Sequence, residues 1–271
     1  MSLTETYLDR CLKDGRTVRW PDRVMPIKVY IAPFRWYEKS KQREANLYNG
    51  MVLESMDRWK NATGGMVRFQ LVSRQQDSQI NLEWRRVDRK SLGHCEYLVN
   101  DKSMVYSAEI SIGLSDNVIH SQYNNPDEVR HTILHEFGHA LGLIGHSDGE
   151  SDIMFVPHQY GVVDISARDI NTIQWLYKLP VGFDYVQAGQ NYKLAAPFSI
   201  HDVIDRIAGK KIVQPEVVKP PPPPEQPEVL LSQHDILSHQ GKFFLATQNI
   251  HVPKDLKTRI VEKKYPPNPP V

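Results

Sequence analysis

The stretch from residue 125 to residue 146, NPDEVRHTILHEFGHALGLIGH, constrains this chain more than any other part of it. It opens with Asn125, a residue suited to cap a helix, and Pro126, whose fixed φ suits the first helical position. Glu128 stands three residues beyond the cap, where it can reach back to it. Gly142 tolerates the left-handed turn that ends a helix, so the spacing predicts a helix from 125 to about 142. On that helix His135 and His139 lie one above the other, about one turn apart. Two imidazoles so placed can hold a single Zn2+ at roughly 2.0–2.1 Å. Glu136 is rotated off their face, too far round to be an equivalent ligand. It can still reach a water on the metal, which is the place for a general base. Beyond Gly142, His146 can fold back as a third ligand and leave the fourth position open. At this chain's His and acid content, His-Glu-x-x-His arises by accident about 0.03 times per chain. Requiring Gly142 and His146 as well lowers that to the order of 10^-4, so two incidental surface histidines are a poor explanation.

The surroundings read as an α+β domain. Residues 25–33 (MPIKVYIAP) alternate Ile27, Val29 and Ile31, the period of a half-buried strand. Tyr48, Val52, Met56 and Trp59 recur at helical spacing across 42–61, and Gly64-Gly65 stops that helix. Strands follow at 67–72 and 79–84, a further pair at 93–99 and 105–114, and a last helix at 166–178. Helices packed on a sheet are the architecture this order implies. Composition changes near residue 180, and residues 215–227 (PEVVKPPPPPEQP) read as extended polyproline. The organisation expected is a lead-in at 1–15, a catalytic-type domain at 16–182, a linker at 183–228 and a tail at 229–271.

Charge and cysteine content remove other classes. Lys and Arg number 33 against 32 Asp and Glu, so nothing electrostatic points to nucleic acid or an anionic membrane as the partner. No apolar run approaches the roughly 20 residues that cross a bilayer. The first twenty residues hold no apolar h-region, so a cytoplasmic or non-classically exported protein is expected, and a monomer. Cys11 and Cys95 are too few for a disulfide framework.

Residues 135–147, HEFGHALGLIGHS, resemble the zinc signature of the metzincin endopeptidases, and specifically of the matrixins, the matrix-metalloproteinase-like peptidases. Asp152-Ile153-Met154 resembles their Met-turn, and 165–177 (ISARDINTIQWLY) resembles their C-terminal helix. Ser166-x-x-Asp169 reads independently as a capping box. The resemblance implies a metzincin-type domain: a twisted mixed sheet, an active-site helix and a C-terminal helix. It implies a zinc endopeptidase with His135, His139 and His146 as ligands, Glu136 as general base and acid, and Met154 beneath the metal. Protein or peptide substrates would lie extended along the strand at 93–99. Structural Ca2+ is a further cofactor the resemblance admits.

The chain departs from the family pattern in places. The usual position of the third ligand holds Gly145, with His146 one residue later; Asp148 is the reserve ligand. The Met-turn continues as residues 155–160, FVPHQY, longer than the family's Pro-x-Tyr wall of the specificity pocket; His120, His158 and Tyr160 are candidates to line the cleft, the alternative being loop residues that only fill space. Residues 85–107 hold only His94, so no second, structural zinc is expected. His131 is expected to be solvated or to support a ligand. Cys11 is read as a plain thiol rather than a zinc-blocking thiolate, because its surroundings match that device poorly. The Pro-rich run reads first as a stiff spacer and second as a ligand for a Pro-motif-binding partner. The rival functional reading is a non-proteolytic zinc-binding or scaffolding protein acting through that tail, against which an intact Glu136 speaks. A third is a small-molecule zinc hydrolase.

Overall fold

The computed structural model describes residues 5–33, 42–86, 92–114 and 125–209. The polyproline run, the tail from 229 and His120 lie outside the described residues. Two short strands, β1 (Leu12–Lys13) and β2 (Arg16–Thr17), form an antiparallel hairpin. The main sheet has five strands: β3 (Ile27–Ile31), β4 (Phe69–Leu71), β5 (Ile80–Arg86), β6 (Gly93–Val99) and β7 (Val105–Leu114). Their order is β4-β3-β5-β7-β6. The first four run parallel, and β6 runs antiparallel to β7 at one edge. Helices α1 (Gln42–Ala62), α2 (Pro126–Ala140) and α3 (Ala167–Lys178) complete the expected α+β plan.

Each element buries the residues its pattern marks. Ile27 and Val29 of β3 are fully buried, as are Val52 and Trp59 of α1. From α2, Ile133, Leu134, Phe137 and Ala140 enter the core, and Phe137 meets Phe69 edge-on at 6.0 Å. Burying a side chain of the Ile, Leu or Phe type contributes up to about 1.5–3 kcal/mol each. Polar handles then fix the pose of α2. The indole of Trp59 donates to Leu134 O (3.0 Å), that of Trp20 to Ala140 O (2.7 Å), and the Tyr177 hydroxyl to Leu141 O (2.9 Å). The last two satisfy carbonyls that a helix end leaves without intrahelical partners.

The structure corrects two of the expected boundaries. The lead-in is part of the core: Tyr7, Leu8 and Cys11, in a 3-10 turn at Leu8–Cys11, are fully buried. The linker expected from residue 183 begins instead with α4 (Tyr185–Asn191) and α5 (Ile200–Ile207). Ile200, Val203 and Ile204 of α5 are buried, Ser199 and Asp202 form a capping box, and His201 Nε2 lies 2.9 Å from Thr6 Oγ1. A short amphipathic helix survives there because the N-terminal turn covers its apolar face. Among the described residues, no helix is long and apolar enough to cross a membrane.

Candidate metal centre

Helix α2 begins as its sequence dictates. The Asn125 side chain accepts from Asp127 N (3.0 Å), and Pro126 occupies the first turn. Glu128 does not close the capping box; its buried carboxylate pairs with His158 instead. The helix ends at Ala140, and Gly142 takes a φ of +108°. A Cβ at Gly142 would run into Val18 O, so both its conformation and its surroundings exclude a side chain. After this bend the chain turns back and carries His146 towards α2. Gly145 makes that return close: its α-carbon packs on the Arg10 carbonyl, where a Cβ would overlap. The extra residue relative to the family pattern is thus accommodated against the N-terminal turn.

His135, His139 and His146 converge, each offering one ring nitrogen with all three within 4.8 Å of one another. The His139 and His146 rings are 4.8 Å apart and nearly perpendicular, as are those of His135 and His139. His139 Nε2 and His146 Nε2 are 3.2 Å apart. A tetrahedral site with bonds of about 2.0–2.1 Å has donor–donor edges of about 3.3–3.4 Å, so that separation fits one zinc ion. The other ring nitrogens are already engaged. His135 Nδ1 donates to Ile153 O (2.8 Å) and His139 Nδ1 to Leu143 O (2.7 Å). These bonds fix the tautomer and turn the lone pair of each Nε2 towards the centre. Burial pushes His135 down to about 3 and His139 down to about 4, and holds His146 below its ordinary value. Neutral imidazoles are what a cation needs as ligands. Asp148, the reserve ligand, is exposed and paired with Arg168 and with Arg10.

Glu136 is buried beside this group, and burial pushes its carboxyl up to about 8 against the pull of Arg85. It lies against the first residue of β6. A Cβ at Gly93 would sit 2.5 Å from Glu136 Oε1 and 2.5 Å from Thr132 Cγ2. The bare α-carbon therefore lets the carboxyl approach the edge strand. Met154 is fully buried under α2, its sulfur against the α-carbon of Gly138 so closely that a Cβ there would overlap it. Asp169 holds this turn. Its Oδ2 accepts from Ile153 N (2.8 Å) and Ser166 N (2.9 Å), and its Oδ1 from Tyr7 OH (2.6 Å). One carboxylate thus joins the N-terminal turn, the α3 cap and the peptide that orients His135.

Of the candidates for the cleft, His158 lies next to the centre, its ring 4.0 Å from His131, which stacks on His135 at 6.0 Å. His131 is buried and donates from Nδ1 to Val162 O (2.6 Å), so it is neither solvated nor a ligand. Tyr160 stands outside it, exposed, 5.6 Å from the His158 ring. Cys11 is buried, and burial pushes its thiol up to about 12, which suits an inert thiol. Sequence reasoning missed Gly93, Gly138 and Tyr7. Gly138 carries a signal within the motif itself, a glycine in a helix interior, whereas Tyr7 carries none.

A family model described as matrixin matches residues 33–178. The match spans α1, the sheet from β4 to β7, all three histidines, Glu136, Met154 and α3. No curated protein matches the sequence. Matrixins are peptidases that bind a catalytic zinc, the ion that the three-histidine cluster fits. With more than half of its length matched, this chain belongs to the matrixin family of zinc-dependent endopeptidases.

Proposed function

We propose that this chain hydrolyses peptide bonds at the three-histidine centre, with Glu136 as general base and then general acid. The observation that carries the proposal is the convergence of three neutral imidazoles beside a buried carboxyl. His135, His139 and His146 would hold zinc, which when bound supplies Lewis acidity to the attacking water and the scissile carbonyl. Glu136 takes the proton of the attacking water. Packed against Gly93 and Thr132 and excluded from solvent, it keeps that proton until it passes it to the departing amine. Strand β6 pairs with β7 alone among the described residues, so its outer edge can receive an extended peptide as a further strand. That placement brings the peptide backbone alongside Glu136, because β6 begins where the carboxyl lies. Met154 packs under Gly138 of α2, and the Ile153 carbonyl holds the His135 ring.

The test is casein or peptide-library cleavage by the zinc-loaded protein, with and without chelator, beside the Glu136→Ala variant. Chelator-sensitive cleavage is expected, with loss of about 10^2–10^4-fold or more in the variant at unchanged zinc stoichiometry. Full activity in Glu136→Ala would remove the general-base assignment. Ester turnover without peptide cleavage would favour a small-molecule hydrolase. Bound zinc with no turnover would favour the scaffolding protein.

A further inference from the structure

One turn before the first ligand, α2 presents residues that the chemistry above leaves idle. His131 stacks on His135, and the His158 ring packs on His131 edge to face at 4.0 Å, van der Waals contact with no gap between them. His158 is tied by its Nε2 to the carboxylate of Glu128, on the same side of α2 one turn further on. His131 is itself held by Val162 O. Glu128, His131 and Thr132 are all buried, so the wall beside His135 is filled by the protein's own side chains. His158 is partly exposed to solvent. Tyr160 rises beyond it as a rim, 72% exposed.

We infer that His158, held by Glu128 and packed on His131, plugs the space beside the metal centre and limits the substrate residue flanking the scissile bond to a short side chain. The inference rests on the peptidase proposal and deepens it by naming a substrate class. A peptide lying along β6 directs alternate side chains towards α2. The one nearest the reacting carbonyl meets the His131–His158 pair rather than an open apolar slot. Gly, Ala, Ser or Thr fits above the His158 ring, under the Tyr160 rim. Leu, Met or Phe has to displace a ring that is anchored at both of its sides. The anchoring follows from two features of this chain: Glu128 is free to bind His158 because it does not complete the α2 cap, and the loop of residues 155–160 is long enough to bring His158 back over His131.

The experiment profiles peptide-library cleavage by the zinc-loaded full chain and by His158→Ala. The wild type is expected to favour Gly, Ala, Ser and Thr next to the cut. His158→Ala removes the ring and is expected to shift kcat/KM towards Leu, Met and Phe by about tenfold or more, the usual worth of fitting or refusing small apolar increments. Zinc stoichiometry and circular dichroism establish that the variant is folded and loaded. A pair of hydroxamate ligands, alike except for a methyl or an isobutyl group beside the zinc-binding group, reads the same subsite by calorimetry without turnover. The methyl compound is expected to bind the wild type more tightly, and His158→Ala to reverse the order. A wild type that prefers Leu, Met or Phe beside the cut, or a variant with an unchanged profile and ligand order, overturns the inference. Discrimination by the ligand pair without any peptide cleavage would sink the peptidase proposal and leave the plugged subsite standing.

Discussion

Replacing Gly138 by Ala tests how closely Met154 is seated under the metal-binding helix. Alanine is favoured over glycine in a helix interior by about 0.8–1.0 kcal/mol, so propensity alone predicts a more stable protein. The added Cβ would overlap Met154 Sδ, lie 3.2 Å from Met154 Cε and 3.1 Å from the fully buried Trp59 ring. Overpacking of that kind costs about 1–3 kcal/mol, so the net expectation is a destabilisation of about 0–2 kcal/mol. In a Met154→Ala background the sulfur and its methyl are gone, and only the Trp59 contact remains. There the same change should be neutral or stabilising by up to about 1 kcal/mol. The expected coupling between the two positions is therefore about 1.5 kcal/mol. Met154→Ala itself costs about 2–5 kcal/mol, which a domain stable by 5–15 kcal/mol survives. Urea unfolding followed by tryptophan fluorescence, on chelator-treated protein so that metal linkage is equal throughout, measures all four corners. If Gly138→Ala stabilises the parent chain, or shifts both backgrounds equally to within about 0.5 kcal/mol, the seating of Met154 against α2 is wrong.

Further expectations concern the bend, the N-terminal turn and pH. Gly145→Ala pushes the His146 bend off the Arg10 carbonyl, so zinc affinity in a competitive-chelator titration should fall at least about tenfold; unchanged affinity would mean that the bend is not fixed there. Tyr7→Phe leaves a buried Asp169 oxygen without its donor and should cost about 1–3 kcal/mol, seen as a lower Tm; an unchanged Tm would remove the bond. For the metal-free protein, burial pushes His131, His135 and His139 down to about 4, 3 and 4, whereas unfolded histidine titrates near 6.5. Glu136 is pushed up to about 8 from 4.5. Through these four groups the unfolded chain binds about two more protons between pH 4.5 and 6.5, three on histidines less one on Glu136, so their contribution to stability rises with pH. Between 6.5 and 8 the folded chain binds one more, through Glu136, and stability falls. The urea midpoint of metal-free protein should peak near pH 6.5, and a midpoint rising steadily to pH 8 would contradict the burial of Glu136.

What the sequence reveals follows from which interactions are local. The α1 period, the alternation of β3 and the caps at Asn125 and Ser166 depend on residues within one or two turns, and all are visible in the chain. The convergence of His135 and His139 is likewise set by one helix. The parallel order of β4, β3, β5 and β7 depends on pairing between distant segments, which no period encodes. Helix α5 did carry a signal, the Ser199-x-x-Asp202 box, but its eight residues gain stability from packing on α4 and on a turn nearly two hundred positions earlier. The burial of Tyr7 and the docking of His158 on His131 are tertiary events of the same kind. Such contacts decide what supports the three histidines, while the histidines themselves are read from one motif.

The Asp169 carboxylate ties together partners separated by 162 positions, from Tyr7 to the start of α3. The loop it closes encloses the entire sheet, and closing so long a loop becomes favourable only when the contacts inside it already exist. Assembly order follows. During synthesis the chain can build its sheet and even its histidine-bearing helix before residue 169 has emerged, but it cannot lock the Ile153 peptide that aims the first imidazole. Full seating of the first imidazole is therefore expected among the last steps of folding, after the sheet has formed, and hydrogen-exchange labelling during refolding would check it.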